Sequence, residues 1–160
     1  MNAETLEKFI HSHGIRARIV YVTMPTPTVD AAAKAVGTNV DQIVKSLLFL
    51  IEGKPVLVIS SGTKRVDQKK IAQHFGVGHK RVKLADPQTV IAMTGYEVGA
   101  VPPFGHSQKL DVVLEESVVK QEIIYAGGGS IEALLEIRPE EILRVTGAAL
   151  VDLHGETEID

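Results

Sequence analysis

At 160 residues, with 44% hydrophobic and 23% charged content, the chain is expected to fold as one globular domain over 1–160, and no apolar run approaches the roughly 20 residues a bilayer needs. The lack of cysteine excludes disulfides, thiolate metal sites and cysteine nucleophiles, and an amino terminus without the basic-then-apolar order of a secretory signal points to a cytoplasmic location. A net charge of −3 argues against a broad nucleic-acid-coating surface, so any RNA contact is expected over a small patch at one end.

Residues 2–13 read as a helix with Leu6, Phe9 and Ile10 on one side and Gly14 as its stop. Ala17 to Val22 alternates as a strand. Met24-Pro25-Thr26-Pro27 reads as a rigid turn leading to Thr28, the N-cap of a helix running through Ala33 to Val36. Asn39 with Gln42 has the pattern of a capping box on a further short helix. Ile43 to Ile51 is the most apolar segment, followed by a hairpin turn at Glu52-Gly53-Lys54 and a partner strand from Pro55 to Ser60. Asp67 caps a helix ending near Gly76, Arg81 to Leu84 is a short strand, and Asp86-Pro87 starts a helix that Gly95 ends. A loop dense in glycine and proline covers 96–108. Strands are expected at 110–115, 121–126 and 131–137. A last helix opens at Pro139-Glu140-Glu141, and Ala148 to Leu153 adds a final strand before frayed last residues. Hairpin-connected strands interleaved with short helices predict an α+β fold, a mixed, mostly antiparallel barrel-like β-sheet flanked by helices.

Three features invite chemistry. Period-two alternation puts Lys45 on one strand face with Ile43, Leu47 and Phe49, where an unpaired ammonium is costly. Either Lys45 snorkels at the strand's start or it faces something anionic. The loop Thr94 to His106 holds three glycines and two consecutive prolines, which suits presenting backbone amides to a carbonyl oxygen; it also reads as a plain crossover. Gly127-Gly128-Gly129-Ser130 is a bulge or makes room for a substrate, and it lacks the Gly-Lys-Ser/Thr of a phosphate loop. Six scattered histidines show no helical zinc-ligand spacing, so no metal site is expected; His106 stands out only as a base just beyond the loop. No Gly-x-Ser-x-Gly elbow anchors a serine hydrolase. Residues 29–47 have the rhythm of a helix-turn-helix, but Ile43 to Ile51 is too apolar to read bases.

Four segments in order resemble the YbaK/EbsC family of aminoacyl-tRNA editing domains, which includes the insertion domain of prolyl-tRNA synthetase. They are Thr28-Val29-Asp30-Ala31-Ala32, Gln42 to Phe49, the loop from Thr94-Gly95-Tyr96 to Pro103-Phe104-Gly105, and Ile124-Tyr125-Ala126-Gly127-Gly128-Gly129. The resemblance implies a barrel-like sheet with a pocket, a lysine matching Lys45 that engages the acceptor end, and a loop matching Gly99 to Pro103 that holds the scissile ester through its backbone. It implies substrate-assisted, metal-independent chemistry without a cofactor. One departure stands out: cysteinyl-specific members have serine where Gly127 stands, which leaves alanine or another small residue open as the edited amino acid.

The expected function is therefore trans-editing, the deacylation of an amino acid such as Ala or Cys from tRNA(Pro) or a related tRNA. In this scheme Lys45, Gly99, Ala100 and Val101 carry the chemistry. Thr28, Ser46, Pro103, His106, Gly127 and Gly128 bind the substrate. The expected partners are the acceptor end of a mischarged aminoacyl-tRNA and an aminoacyl-tRNA synthetase, with no membrane and no DNA. The alternative is a non-catalytic module that holds a nucleotide or the acceptor end.

Overall fold

The computed structural model describes residues 1–24, 26 and 28–158. Its helices begin where short polar side chains accept an orphan amide. Asn2 caps α1 (Ala3–Ser12) through a capping box with Thr5, Thr28 caps α2 (Val29–Val36), Asp67 caps α3 (Gln68–Phe75) and Asp86 caps α4 (Pro87–Thr94). A proline at its first position starts α5 (Pro139–Thr146). Asn39 and Gln42 make the expected capping box on a single 3-10 turn at Val40–Gln42.

Ten strands form three sheets among the described residues. The first is antiparallel, with β1 (Ala17–Tyr21) and β7 (Ile124–Gly127) flanking β8 (Ala133–Ile137). In the second, β2 (Val44–Ile51) and β3 (Lys54–Ser61) form a hairpin whose two turn residues, Glu52 and Gly53, both have positive φ, 50° and 83°. That geometry matches the right-handed twist of the strands it joins. β5 (Val82–Leu84) pairs antiparallel with β2, while β6 (Asp111–Glu115) runs parallel to β3 and β9 (Ala149–Val151) parallel to β6. The third sheet pairs β4 (Lys64–Val66) with β10 (His154–Glu158).

Several expectations change here. The fold is α+β with mixed and antiparallel sheets, but no closed barrel forms among the described residues. The parallel β3–β6–β9 steps need helical crossovers, and hairpin closure is lost there. Residues 39–49 form a 3-10 turn and β2, so no recognition helix exists. β4 was too short to read, and the residues expected to fray instead pair with it through Glu158; 159 and 160 lie outside the described residues, as do Pro25 and Pro27 of the expected rigid turn. No helix of the described residues is long and apolar enough to cross a membrane.

The five-stranded sheet is buried on both faces, which explains its nearly continuous apolar sequence. Val44, Leu48, Leu57, Ile59, Val112 and Leu114 face the main core, with the three-stranded sheet, α1, α5 and the glycine–proline loop. Phe49, Ile51, Val56, Val58 and Val113 face α3. A third cluster joins Ala32 and Ala33 of α2 to Ile43 and Leu134.

The two larger sheets meet at a seam. Ile43 and Tyr125 form an isolated parallel bridge. Two residues beyond Tyr125, Gly127 lies so close to the loop that a Cβ there would stand 2.2 Å from the Val101 carbonyl oxygen. The Gly129 amide donates to the Ala100 oxygen at 2.9 Å. Backbone therefore packs on backbone, and a side chain at Gly127 fits only if the loop shifts.

Elsewhere, Glu141 accepts both forks of Arg144 at 2.7 Å and the Arg16 amide at 2.6 Å, tying α5 to the turn before β1. The Arg144 guanidinium is the main cause that brings its carboxyl down to about 2 from an ordinary 4.5. A depressed carboxylate stabilises the fold above its unfolded pKa and loses that contribution as pH falls through the folded one. The stability difference between the wild type and Glu141→Gln should thus be full above about pH 4.5 and close toward pH 2, read from urea melts across that window. Gly127→Ser should cost about 1–3 kcal/mol, typical of forced overpacking, and lower Tm accordingly. An unchanged melt would mean the seam yields freely.

Candidate active site at the seam

Lys45 is the second residue of β2, two beyond Ile43 in the direction in which Gly127 is two beyond Tyr125. The bridge sets Lys45 and Gly127 at matching offsets along the two strands, and Gly127 in turn abuts the Ala100–Val101 backbone. On its own strand face Lys45 falls between two apolar clusters, Ile43 under α2 and Leu47 and Phe49 under α3. A lysine is tolerated because this gap is only half-buried. Its Nζ donates to the Lys64 carbonyl of β4 at 2.9 Å, so the stem is drawn in against β4. Burial strips water from the ammonium and moves its pKa below the usual lysine range.

Ser46 points the other way. Alternation puts it with Val44 and Leu48 on the main-core face, and its Oγ is buried without a hydrogen-bond partner. Ser46, expected to bind the substrate, therefore lies on the face of β2 opposite Lys45. Thr28 is exposed, and its Oγ1 accepts the Ala31 amide at 3.1 Å as the cap of α2, the helix covering Ile43.

The glycine–proline loop is pinned at both ends. Thr94 Oγ1 donates to the Val90 carbonyl at 2.7 Å and accepts the Tyr96 amide at 3.0 Å. Tyr96 is buried, which pushes its phenol up to about 12. At the far end the His106 Nε2 lies 2.7 Å from the Pro102 carbonyl oxygen. Burial moves the His106 pKa below its ordinary 6.5, against the pull of that carbonyl, so the neutral ring donates its Nε2–H to Pro102.

Within the loop the Ala100 amide donates to the Glu97 carbonyl at 3.0 Å, which removes it from the expected set of ester-holding donors. Gly99, exposed at φ 87°, and buried Val101 carry the remaining amides. Pro103 and His106 line a cleft of about 310 Å³ with Phe9, Leu110 and Val145, elements of the main-core side. They lie on the main-core side, whereas Lys45 is on the opposite face of β2. Gly128 is small for a reason internal to the chain: a Cβ there would stand 2.5 Å from the Ala133 backbone.

Two features escaped the sequence reading. Lys64, whose carbonyl holds Lys45, lies in a three-residue strand after Ser61-Gly62-Thr63; those turn residues followed by an alternating Lys64-Arg65-Val66 were the available signal. Glu115, Asp152 and His154 place possible ligand atoms within 4.8 Å of one another, across β6 and the turn between β9 and β10. Helical spacing does not detect such a group. The Glu115 oxygens already accept the Ser117 amide at 2.9 Å and the Leu153 amide at 3.1 Å, so the carboxylate knits these strands.

Comparison with known proteins accords with this geometry. The profile of the aminoacyl-tRNA editing domain family matches residues 23–145. The chain is 34% identical over 116 residues to the uncharacterized protein YwhH of Bacillus subtilis (strain 168), covering 72% of each. It is 27% identical over 130 residues to the multifunctional Ser/Thr-tRNA deacylase ProXp-y of Escherichia coli (strain K12), covering 78% of this chain and 77% of that one. A crystal structure described as a candidate trans-editing enzyme for prolyl tRNA synthetase superposes with a TM-score of 0.89 at 34% identity, covering 96% of both chains. The chain belongs to the aminoacyl-tRNA editing domain family, the YbaK-like class that its sequence resembles.

Proposed function

We propose that the chain is a trans-editing hydrolase that cleaves the ester of a mischarged aminoacyl-tRNA, gripping the acceptor end at the seam. The observation that carries this reading is a half-buried lysine on β2 at the same offset from the sheet-joining bridge as Gly127, which abuts the Ala100–Val101 backbone, in a member of the editing family. A half-desolvated ammonium is a stronger anchor for an anionic or carbonyl group than one in water. Lys45 spends one N–H on Lys64 and keeps two for the substrate.

The reaction needs a water oxygen to attack the ester carbon, an oxyanion to form, and the bond to the ribose oxygen to break. The proton from water ends on that ribose oxygen, relayed by the neighbouring ribose hydroxyl or the amino acid's own side chain in a substrate-assisted, metal-independent step. The Gly99 and Val101 amides meet the oxyanion, each good donor contributing roughly 3 kcal/mol. His106, tied to Pro102 through Nε2, positions the loop in this scheme. The edited amino acid is small, such as Ala or Cys on tRNA(Pro) or a related tRNA; the likeness to a candidate partner of prolyl tRNA synthetase supports that choice of tRNA.

A panel of mischarged tRNAs assayed for release of the amino acid tests the reading. On the best substrate, Lys45→Ala should lower kcat/KM at least about a hundredfold, the equivalent of roughly 3 kcal/mol, with Tm close to wild type. Wild-type rates in that variant would sink the mechanism, and saturable tRNA binding without release would leave only an acceptor-end binding module. His106→Gln should lower kcat/KM about tenfold to a hundredfold through a slackened loop while leaving the shape of the pH–rate profile unchanged. Loss of the acidic limb of that profile would instead make His106 the base.

A further inference from the structure

Charge is unevenly distributed along this chain. Residues 64–83 contain seven Lys and Arg and one Asp, six net positive charges in a chain whose net charge is −3, so the other 140 residues carry nine net negative charges. The fold gathers much of that segment at one end. β4, α3, the 3-10 turn His79–Arg81 and β10 enclose a cleft of about 500 Å³ lined by Arg65, Lys69, Lys70, His79 and His154, with Val66 its one aliphatic residue. Phe, Tyr and Trp are missing from its lining, so it has no hydrophobic platform for stacked bases.

Asp67 is the one acid that lines it. Asp67 accepts the Lys69 amide at 2.9 Å as the cap of α3, and Asp152 lies 3.4 Å from Lys70 Nζ. Lys70 also donates to the His154 carbonyl at 3.1 Å, which makes it part of the wall. Arg65 and Lys69 remain as side chains that can leave the surface for an outside anion. The cleft adjoins the seam directly: Lys45 holds the carbonyl of Lys64, the residue before Arg65 on β4.

We propose that this cleft grips the sugar–phosphate backbone of the acceptor stem, while the seam takes the terminal ester. The assignment rests on the editing reading above for its ligand. Contacts to phosphate position a nucleic acid without reading its sequence, and they need cations rather than rings. A small cationic cleft on an otherwise acidic protein also restricts binding to one orientation, with the stem along β4 and α3 and its end at Lys45.

The test compares wild type with Arg65→Gln and Lys69→Gln, singly and together, using Lys8→Gln on the exposed face of α1 as the control for loss of one surface charge elsewhere. Binding of an unacylated tRNA(Pro) transcript is followed by fluorescence anisotropy from 50 to 200 mM salt. The double variant should reduce the slope of log K against log salt by about two, roughly one per lost phosphate contact, and the control should not. On intact mischarged tRNA its KM should rise about tenfold at unchanged kcat, and on an aminoacylated CCA trinucleotide it should match wild type. An unchanged salt slope, or an equal loss on the trinucleotide, overturns the proposal. Should the wild type deacylate neither substrate while the slope still drops, the editing reading fails and the cleft stands. Normal deacylation with an unchanged slope has the opposite meaning.

Discussion

The site depends on two stretches of backbone that come closer than side chains allow. Gly127 and Gly129 press on the Ala100 and Val101 carbonyls, one through bare van der Waals contact and one through a hydrogen bond. This contact sets where the loop crosses β7, two residues beyond the bridge that joins the sheets. The Thr94 and His106 hydrogen bonds hold the loop's ends, but neither would place Val101 if the strand opposite carried a side chain. A stiff double proline then makes the placement independent of what lies beyond.

Helix boundaries were legible because their physics is local. Each expected cap was followed by its helix, and the hairpin at Glu52-Gly53 formed where its residues said it would. Topology was less legible. An apolar run such as Val44 to Ile51 looks the same in a barrel and in an open sheet buried on both faces, and only the parallel crossovers to β6 and β9 decide between them. β4 escaped notice because three residues carry too little periodicity, and β10 because its partner was unseen.

The site divides in the same way. Alternation alone placed Lys45 on an apolar face, and the family resemblance joined it to the glycine–proline loop. Nearness in the chain is not nearness in the fold: Ser46 is next to Lys45 in sequence but on the opposite face, and Pro103 and His106 line a cleft on the main-core side. The Ala100 amide was lost to a turn within the loop itself, a hydrogen bond that residue types do not announce. Long-range backbone contact is the part of a site that a sequence carries least explicitly.

The crowding of basic residues into 64–83 gives the protein a pronounced electric dipole despite its modest overall charge. A polyanion arriving from any direction turns the molecule before touching it, so productive encounters are more frequent than random collisions allow, and added electrolyte erodes that advantage. The same polarity lets the acidic remainder of one copy attract the basic end of another in dilute buffer.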